Sequence, residues 1–176
     1  GVSSAASDVY KRQIPHRLSN GICSLNPEED RLTLSCRMEI NERGEVVKHE
    51  IFDSVIHSNY RMTYDAVNKI ITDQDSEIRS QYKDLTPMLD LAQDLSNRLI
   101  RMRKRRGEID FDINEAKVLV NDEGIPTEVL MRERGEGERL IESFMLAANE
   151  TVAEHFNKLE VPFIYRCLLY TSDAAD

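Results

Sequence analysis

Leu32, Leu34, Cys36, Met38 and Ile40 alternate with Thr33, Ser35, Arg37 and Glu39. A period of two sends successive side chains to opposite sides of an extended backbone, so this stretch predicts a strand with one buried apolar face. Asn41-Glu-Arg-Gly44 supplies turn chemistry, and Val46 to His57 reads as the returning strand, with Val47, His49, Ile51, Asp53 and Val55 on one side. No other local pattern constrains the fold as strongly. A hairpin fixes a register, and its apolar face needs a layer to cover it.

The remaining elements follow from periodicity and punctuation. Ile14 to Leu25, broken by Pro15, Asn20 and Gly21, predicts a loop, and Asn26-Pro27 before Glu28, Glu29 and Asp30 predicts a short turn or one-turn helix. Thr63 is placed as a helix N-cap, with Val67, Ile70 and Ile71 packing inward. Thr72 to Gln81 is polar and predicts a loop. Thr86-Pro87 opens a long helix whose inward stripe is Leu85, Met88, Leu89, Ala92, Leu95, Leu99 and Met102, and Gly107 ends it. Ala116 to Asn121 and Thr127 to Arg132 predict a second hairpin around Asp122-Glu123-Gly124. A final helix is expected from Gly137 to Asn157, with Ile141, Phe144, Met145, Ala148, Val152 and Phe156 inward, and Phe163-Ile164-Tyr165 is expected to begin another strand after Pro162. The order predicts an α+β domain of mixed strands with a long central helix and a C-terminal helix, without an internal repeat or a dividing linker.

The chain of 176 residues is 40% hydrophobic and 31% charged, which suits one globular domain or part of one. It has neither a secretory-type leader nor an apolar run approaching the roughly 20 residues of a membrane span. Three cysteines give no paired framework, so Cys23 and Cys36 read as buried thiols in a reducing, cytoplasmic compartment. A net charge of -9 argues against a surface built broadly for phosphate, although a narrow channel depends on local sign instead.

The common catalytic arrangements are missing. There is no C-x-x-C, H-E-x-x-H, G-x-S-x-G or glycine-rich phosphate loop. His16, His49, His57 and His155 share no metal-ligand spacing and read as surface or half-buried side chains. Two-metal phosphodiester hydrolysis uses carboxylates converging on ions about 3.5–4 Å apart. This chain has no adjacent Asp-Asp pair, and Asp73-Gln-Asp75 and Asp110-Phe-Asp112 are the nearest approximations. Neither reads as a metal site.

Five phrases stand in order along the chain: Leu18-Ser-Asn-Gly-Ile-Cys-Ser-Leu25, Asn26-Pro-Glu-Glu-Asp-Arg31, Arg61-Met-Thr-Tyr-Asp65, Arg106-Gly-Glu-Ile-Asp-Phe111 and Arg139-Leu-Ile-Glu-Ser-Phe-Met-Leu-Ala-Ala-Asn149. Their order and spacing resemble the RNB catalytic domain of the ribonuclease R and ribonuclease II family. The first two phrases, and the short path from Arg106 to Phe111, favour the ribonuclease R branch. The resemblance implies a parent enzyme that is a processive, Mg²⁺-dependent 3′-to-5′ exoribonuclease. Such an enzyme acts on single-stranded RNA, releases nucleoside 5′-monophosphates and is monomeric. It places the family's metal-binding aspartates upstream of Leu18. The chain is therefore expected to be an internal fragment over residues 14–166, inactive alone and binding no metal itself. Residues 1–13 and 167–176 resemble non-native, adapter-like segments.

The same resemblance nominates three RNA-binding residues. Tyr64 would lie beside the RNA 3′ end, stacking on a base or donating its hydroxyl to a phosphate; periodicity alone reads it as a tyrosine capping the core. Glu142 would face the terminal nucleotide and accept a hydrogen bond from a ribose 2′-OH; its other reading is an ordinary exposed helix acid. The family often has two consecutive acids where this chain has Glu142-Ser143, which leaves a one-residue register open. Phe111 would clamp the terminal base stack, or serve as a core phenylalanine. The basic run Arg98, Arg101, Arg103, Lys104, Arg105 and Arg106 is either a solvated helix end or an RNA guide. Two other readings compete: a non-catalytic RNA-binding or scaffolding relative, and an acidic helical interaction module. An intact aspartate cluster in the parental reading frame distinguishes the enzyme from the first, and the second leaves the five phrases unexplained.

Overall fold

The computed structural model describes residues 14–108, 115–121, 125–132 and 134–165. Two antiparallel hairpins and four α-helices follow in the order β1 (Asp30–Ile40), β2 (Val46–His57), α1 (Tyr64–Ile71), α2 (Ser76–Gln81), α3 (Thr86–Arg105), β3 (Glu115–Val120), β4 (Pro126–Arg132) and α4 (Glu136–Lys158). The expected α+β class, both hairpins and both long helices are present. The segment read as a leading loop instead contains a six-residue π-helical turn, Arg17–Ile22.

In the first hairpin Leu32 pairs with Val55, Leu34 with Asp53, Cys36 with Ile51 and Met38 with His49, with a register shift at Glu39/Ile40. Asn41 makes the turn. Its Oδ1 accepts hydrogen bonds from the backbone N–H groups of Arg43 and Glu45 at 2.9 and 3.0 Å, and Gly44 follows at φ 83°. The apolar face is covered over only half its length. Toward the turn it meets α4, where Thr151 Oγ1 lies 3.3 Å from Met38 Sδ and His49 Nε2 lies 2.9 Å from His155 Nδ1. Away from the turn, Leu32, Leu34 and Val55 are 88%, 70% and 62% exposed, against the expectation of one buried face. The alternation is correct as a strand signal, but the contacts of α4 described above fall at Met38 and His49, in the turn-proximal half. Leu34→Ser should therefore shift the urea unfolding free energy of the chain by no more than about 0.5 kcal/mol; a loss of about 2 kcal/mol or more would show that the face is buried after all.

Thr63 caps α1 as expected, accepting from Ala66 N through Oγ1 at 3.2 Å. Ile70 and Ile71 enter the core with Leu89, and Met62, Val67, Ile78, Tyr82 and Leu85 pack around them. The stretch read as a polar loop holds α2, because Asp75 Oδ1 accepts from the N–H groups of Glu77 and Ile78 and stabilises that short helix. On α3 the inward stripe includes Leu89 and Leu99, while Met88 is 55% exposed and Ser96 is buried instead. Gly107, at φ 94°, ends the helix as expected.

The inward face of α4 is also corrected. Gly137, Leu140, Ser143, Ala147 and Thr151 are buried, whereas Ile141 and Met145 are 41% and 58% exposed. Small residues let α4 approach α1 and α3 closely, and Thr151 satisfies its hydroxyl within the helix by donating to Ala147 O at 2.7 Å. Residues 161–165 form no strand; Phe163 stacks on Phe156 with centroids 4.4 Å apart. No helix among the described residues is long and apolar enough to cross a membrane.

Candidate nucleic-acid site at the joint of two helices

Tyr64 is the first residue of α1, fixed there by the Thr63 cap, and it is 38% exposed. Glu142 lies in the second turn of α4 with its side chain 46% exposed, paired with Arg134 at 3.4 Å. Its neighbour Ser143 is 1% exposed, and its Oγ accepts from Arg103 Nη2 at 3.2 Å. Position 142 therefore faces solvent and position 143 is sealed against α3. Glu142, Met145 and Asn149 recur at helical spacing and are all exposed. Two of the six apolar residues that sequence reasoning placed inside α4, Ile141 and Met145, are thus at the surface near the carboxylate, while Phe144, Ala148, Val152 and Phe156 are half-buried.

One side chain missed by sequence reasoning joins the two helices. Asn68 stands one turn after Tyr64 on α1, and Glu138 one turn before Glu142 on α4. Asn68 Oδ1 accepts from Gly137 N at 2.7 Å, and its Nδ2 donates to Glu138 Oε2 at 3.2 Å. The N-cap of α4, Gly135, offers no capping side chain, so Asn68 satisfies a helix N-terminal N–H from a different helix. A Cβ on Gly135 would collide with the Asn68 amide, and one on Gly137 would come within 3.1 Å of Asn68 Oδ1. Two glycines just before an apolar helix were the available signal, since backbones that approach closely exclude a Cβ. Phe111 lies outside the described residues.

The basic run is largely committed to local partners. Arg98 pairs with Asp94 at 2.7 Å, Arg103 with Glu108 at 3.1 Å and Arg106 with Glu150 at 2.8 Å. The Glu150 hydrogen bond and charge raise the Arg106 guanidinium above its ordinary value. Arg105 donates to Arg43 O, tying the end of α3 to the β1–β2 turn. Arg101 and Lys104 remain exposed. Of the two thiols read as buried, Cys23 is exposed; Cys36 is half-buried, and burial raises its thiol above the usual value.

Among the described residues no group of three or more His, Cys, Asp or Glu side chains is placed to hold a metal ion. Asp75 is spent on the α2 cap. The described side chains can bind, stack and orient, but they assemble no two-metal centre.

Comparison with known proteins gives a consistent context. The RNB-domain family profile matches residues 8–171. Ribonuclease R 1 of Lactococcus lactis is 49% identical over 166 residues, covering 94% of this chain and 20% of that protein. Ribonuclease R of Thermotoga maritima is 41% identical over 167 residues, covering 94% of this chain and 23% of its own length. The chain spans about a fifth of the length of the curated relatives it matches. Among solved structures, Mycoplasma genitalium RNase R in complex with ribose-methylated single-stranded RNA superposes with a TM-score of 0.72 at 28% identity, covering 84% of this chain and 22% of that one. An active-site mutant of the Dss1 exoribonuclease from Candida glabrata shares the fold with a TM-score of 0.69 at 21% identity.

Proposed function

The chain belongs to the RNB-domain family, in its ribonuclease R branch, and from that premise we propose that it is part of a processive, Mg²⁺-dependent 3′-to-5′ exoribonuclease that releases nucleoside 5′-monophosphates. Residues 14–166 form a wall of the RNA channel and the 3′-end pocket of that enzyme. The observation that carries this reading is the joint described above: the two helices bearing Tyr64 and Glu142 are tied through Asn68, with both nominated side chains at the surface. Support also comes from the M. genitalium RNase R complex, whose RNA is single-stranded.

The chemistry at the joint suits a ribonucleotide end. The Tyr64 ring stacks on a base, a contact worth about 1–3 kcal/mol in single-strand binding proteins. The Glu142 carboxylate accepts a hydrogen bond from a 2′-OH, which DNA lacks. Exposed Ile141 and Met145 offer apolar surface beside that carboxylate, and the role proposed for Phe111, outside the described residues, is to clamp the terminal base stack.

The described residues do not fit magnesium. The described side chains place no metal-binding group, and the sequence has no adjacent aspartates. The metal-binding aspartates belong to a part of the parent outside this chain, and the residues present position RNA without cleaving it. Incubated with Mg²⁺ and labelled single-stranded RNA, this chain alone should release no mononucleotides; metal-dependent release above a no-protein control would sink the assignment.

A further inference from the structure

We infer that Asn68 is a positioning residue that sets the placement of Tyr64 relative to Glu142, and through it the discrimination between ribose and 2′-deoxyribose at the RNA 3′ end. The inference rests on the pocket reading above and goes beyond it, because Asn68 itself touches no RNA in that reading.

Two hydrogen bonds and the close approach of two glycines converge on this one amide. Its Oδ1 holds Gly137 N at 2.7 Å and its Nδ2 holds Glu138 Oε2 at 3.2 Å. Gly135 leaves no room for a Cβ against the amide, and a Cβ on Gly137 would meet both Asn68 Oδ1 at 3.1 Å and Val67 Cγ1 at 3.3 Å. Neither glycine is needed for a left-handed backbone, since positive φ among the glycines is confined to Gly44 and Gly107 within the described residues. They are small because α4 begins directly on the surface of α1.

This seating transmits position in both directions. Tyr64 and Asn68, four residues apart, lie on one side of α1, as Glu138 and Glu142 do on α4. Each pocket residue is thus one helical turn from the clamp. Arg134, next to Gly135 in the chain, is carried to Glu142 by the same seating, and their ion pair at 3.4 Å restrains the carboxylate. Without the clamp Tyr64 and Glu142 stay on their own helices, but the helices are free to slide. Two groups that contact one nucleotide need placement to within about 0.5 Å, so a small slide separates base stacking from 2′-OH recognition.

The test uses the whole 176-residue chain and two short single-stranded oligoribonucleotides. They are identical except that one ends in ribose and the other in 2′-deoxyribose. NMR titration gives a Kd for each, and the readout is their ratio. Partial unfolding weakens both oligonucleotides equally and leaves the ratio unchanged, so a merely structural role would not move it. Wild type should favour the ribose end by about three- to tenfold, the value of one hydrogen bond. Asn68→Ala and Gly135→Ala, which act on opposite sides of the same contact, should each bring the ratio to about one. Asn68→Asp combined with Glu138→Gln keeps an oxygen that accepts from Gly137 N, with an amide in place of the facing carboxylate, and should retain the preference.

A preference that survives in both alanine variants overturns the inference while leaving the pocket reading intact. A preference lost equally in that double variant also overturns it, because the accepting oxygen would then have no positioning role. Absence of any ribose preference in the wild type overturns the pocket reading, and this inference with it.

Discussion

Leu99→Ala should destabilise the chain by about 2–5 kcal/mol, the usual cost of opening a cavity at a fully buried leucine. Leu99 is 1% exposed in the middle of α3. One turn later Arg103 reaches across to the buried Ser143 of α4, so the cavity opens at the seam that holds Glu142 at the surface. Urea unfolding should show a lower midpoint with an unchanged slope, since the surface exposed on unfolding hardly changes. Met88→Ala, on the same helix but 55% exposed, should cost no more than about 0.5 kcal/mol. Equal effects at the two positions would contradict the placement of the α3 stripe.

Gly44→Ala is the second large effect, at about 2–4 kcal/mol. Two costs combine there. The residue sits at φ 83°, a conformation that costs a side-chain-bearing residue about 1–2 kcal/mol. An added Cβ would also meet the backbone oxygen of Arg98 at 2.7 Å and Met102 Cβ at 3.0 Å, and a helix carbonyl cannot step aside. Gly107 provides the control: its φ is 94°, yet nothing lies within 4 Å of its would-be Cβ, so Gly107→Ala should show only the conformational cost. If the two substitutions cost the same, the β1–β2 turn does not rest on α3 in solution.

Local rules made much of the fold legible. The first hairpin, the Thr63 cap and the Gly107 stop are written in neighbouring residues, and each is found as expected. The errors share one cause: burial depends on what lies across from an element. In α4 the largest apolar residues suggested one inward face, but the observed seam uses Gly137, Ser143, Ala147 and Thr151, because small side chains allow a closer approach of the helix axes. Leu32 and Leu34 alternate as a buried strand should, yet α4 covers only the turn-proximal half of the hairpin.

The candidate site residues came from a different source. Periodicity gave Tyr64 and Glu142 structural readings only, and the resemblance of five ordered phrases singled them out. Asn68 was hidden because its role is tertiary: it caps a helix that begins 68 residues later in the chain. The exposed Glu142 and sealed Ser143 offer a physical account of why a single acid at this pair can face a ligand while its neighbour packs.

The most direct test of the exoribonuclease account uses the parental protein with its flanking segments restored. It is incubated with Mg²⁺ and 5′-labelled single-stranded RNA beside its Tyr64→Ala variant. The account predicts shortening from the 3′ end to a small limit product, and a limit product of different size in the variant, because the ring that holds the last bases has gone. RNA that is bound but keeps its full length would contradict the account, and so would a limit product identical in both proteins.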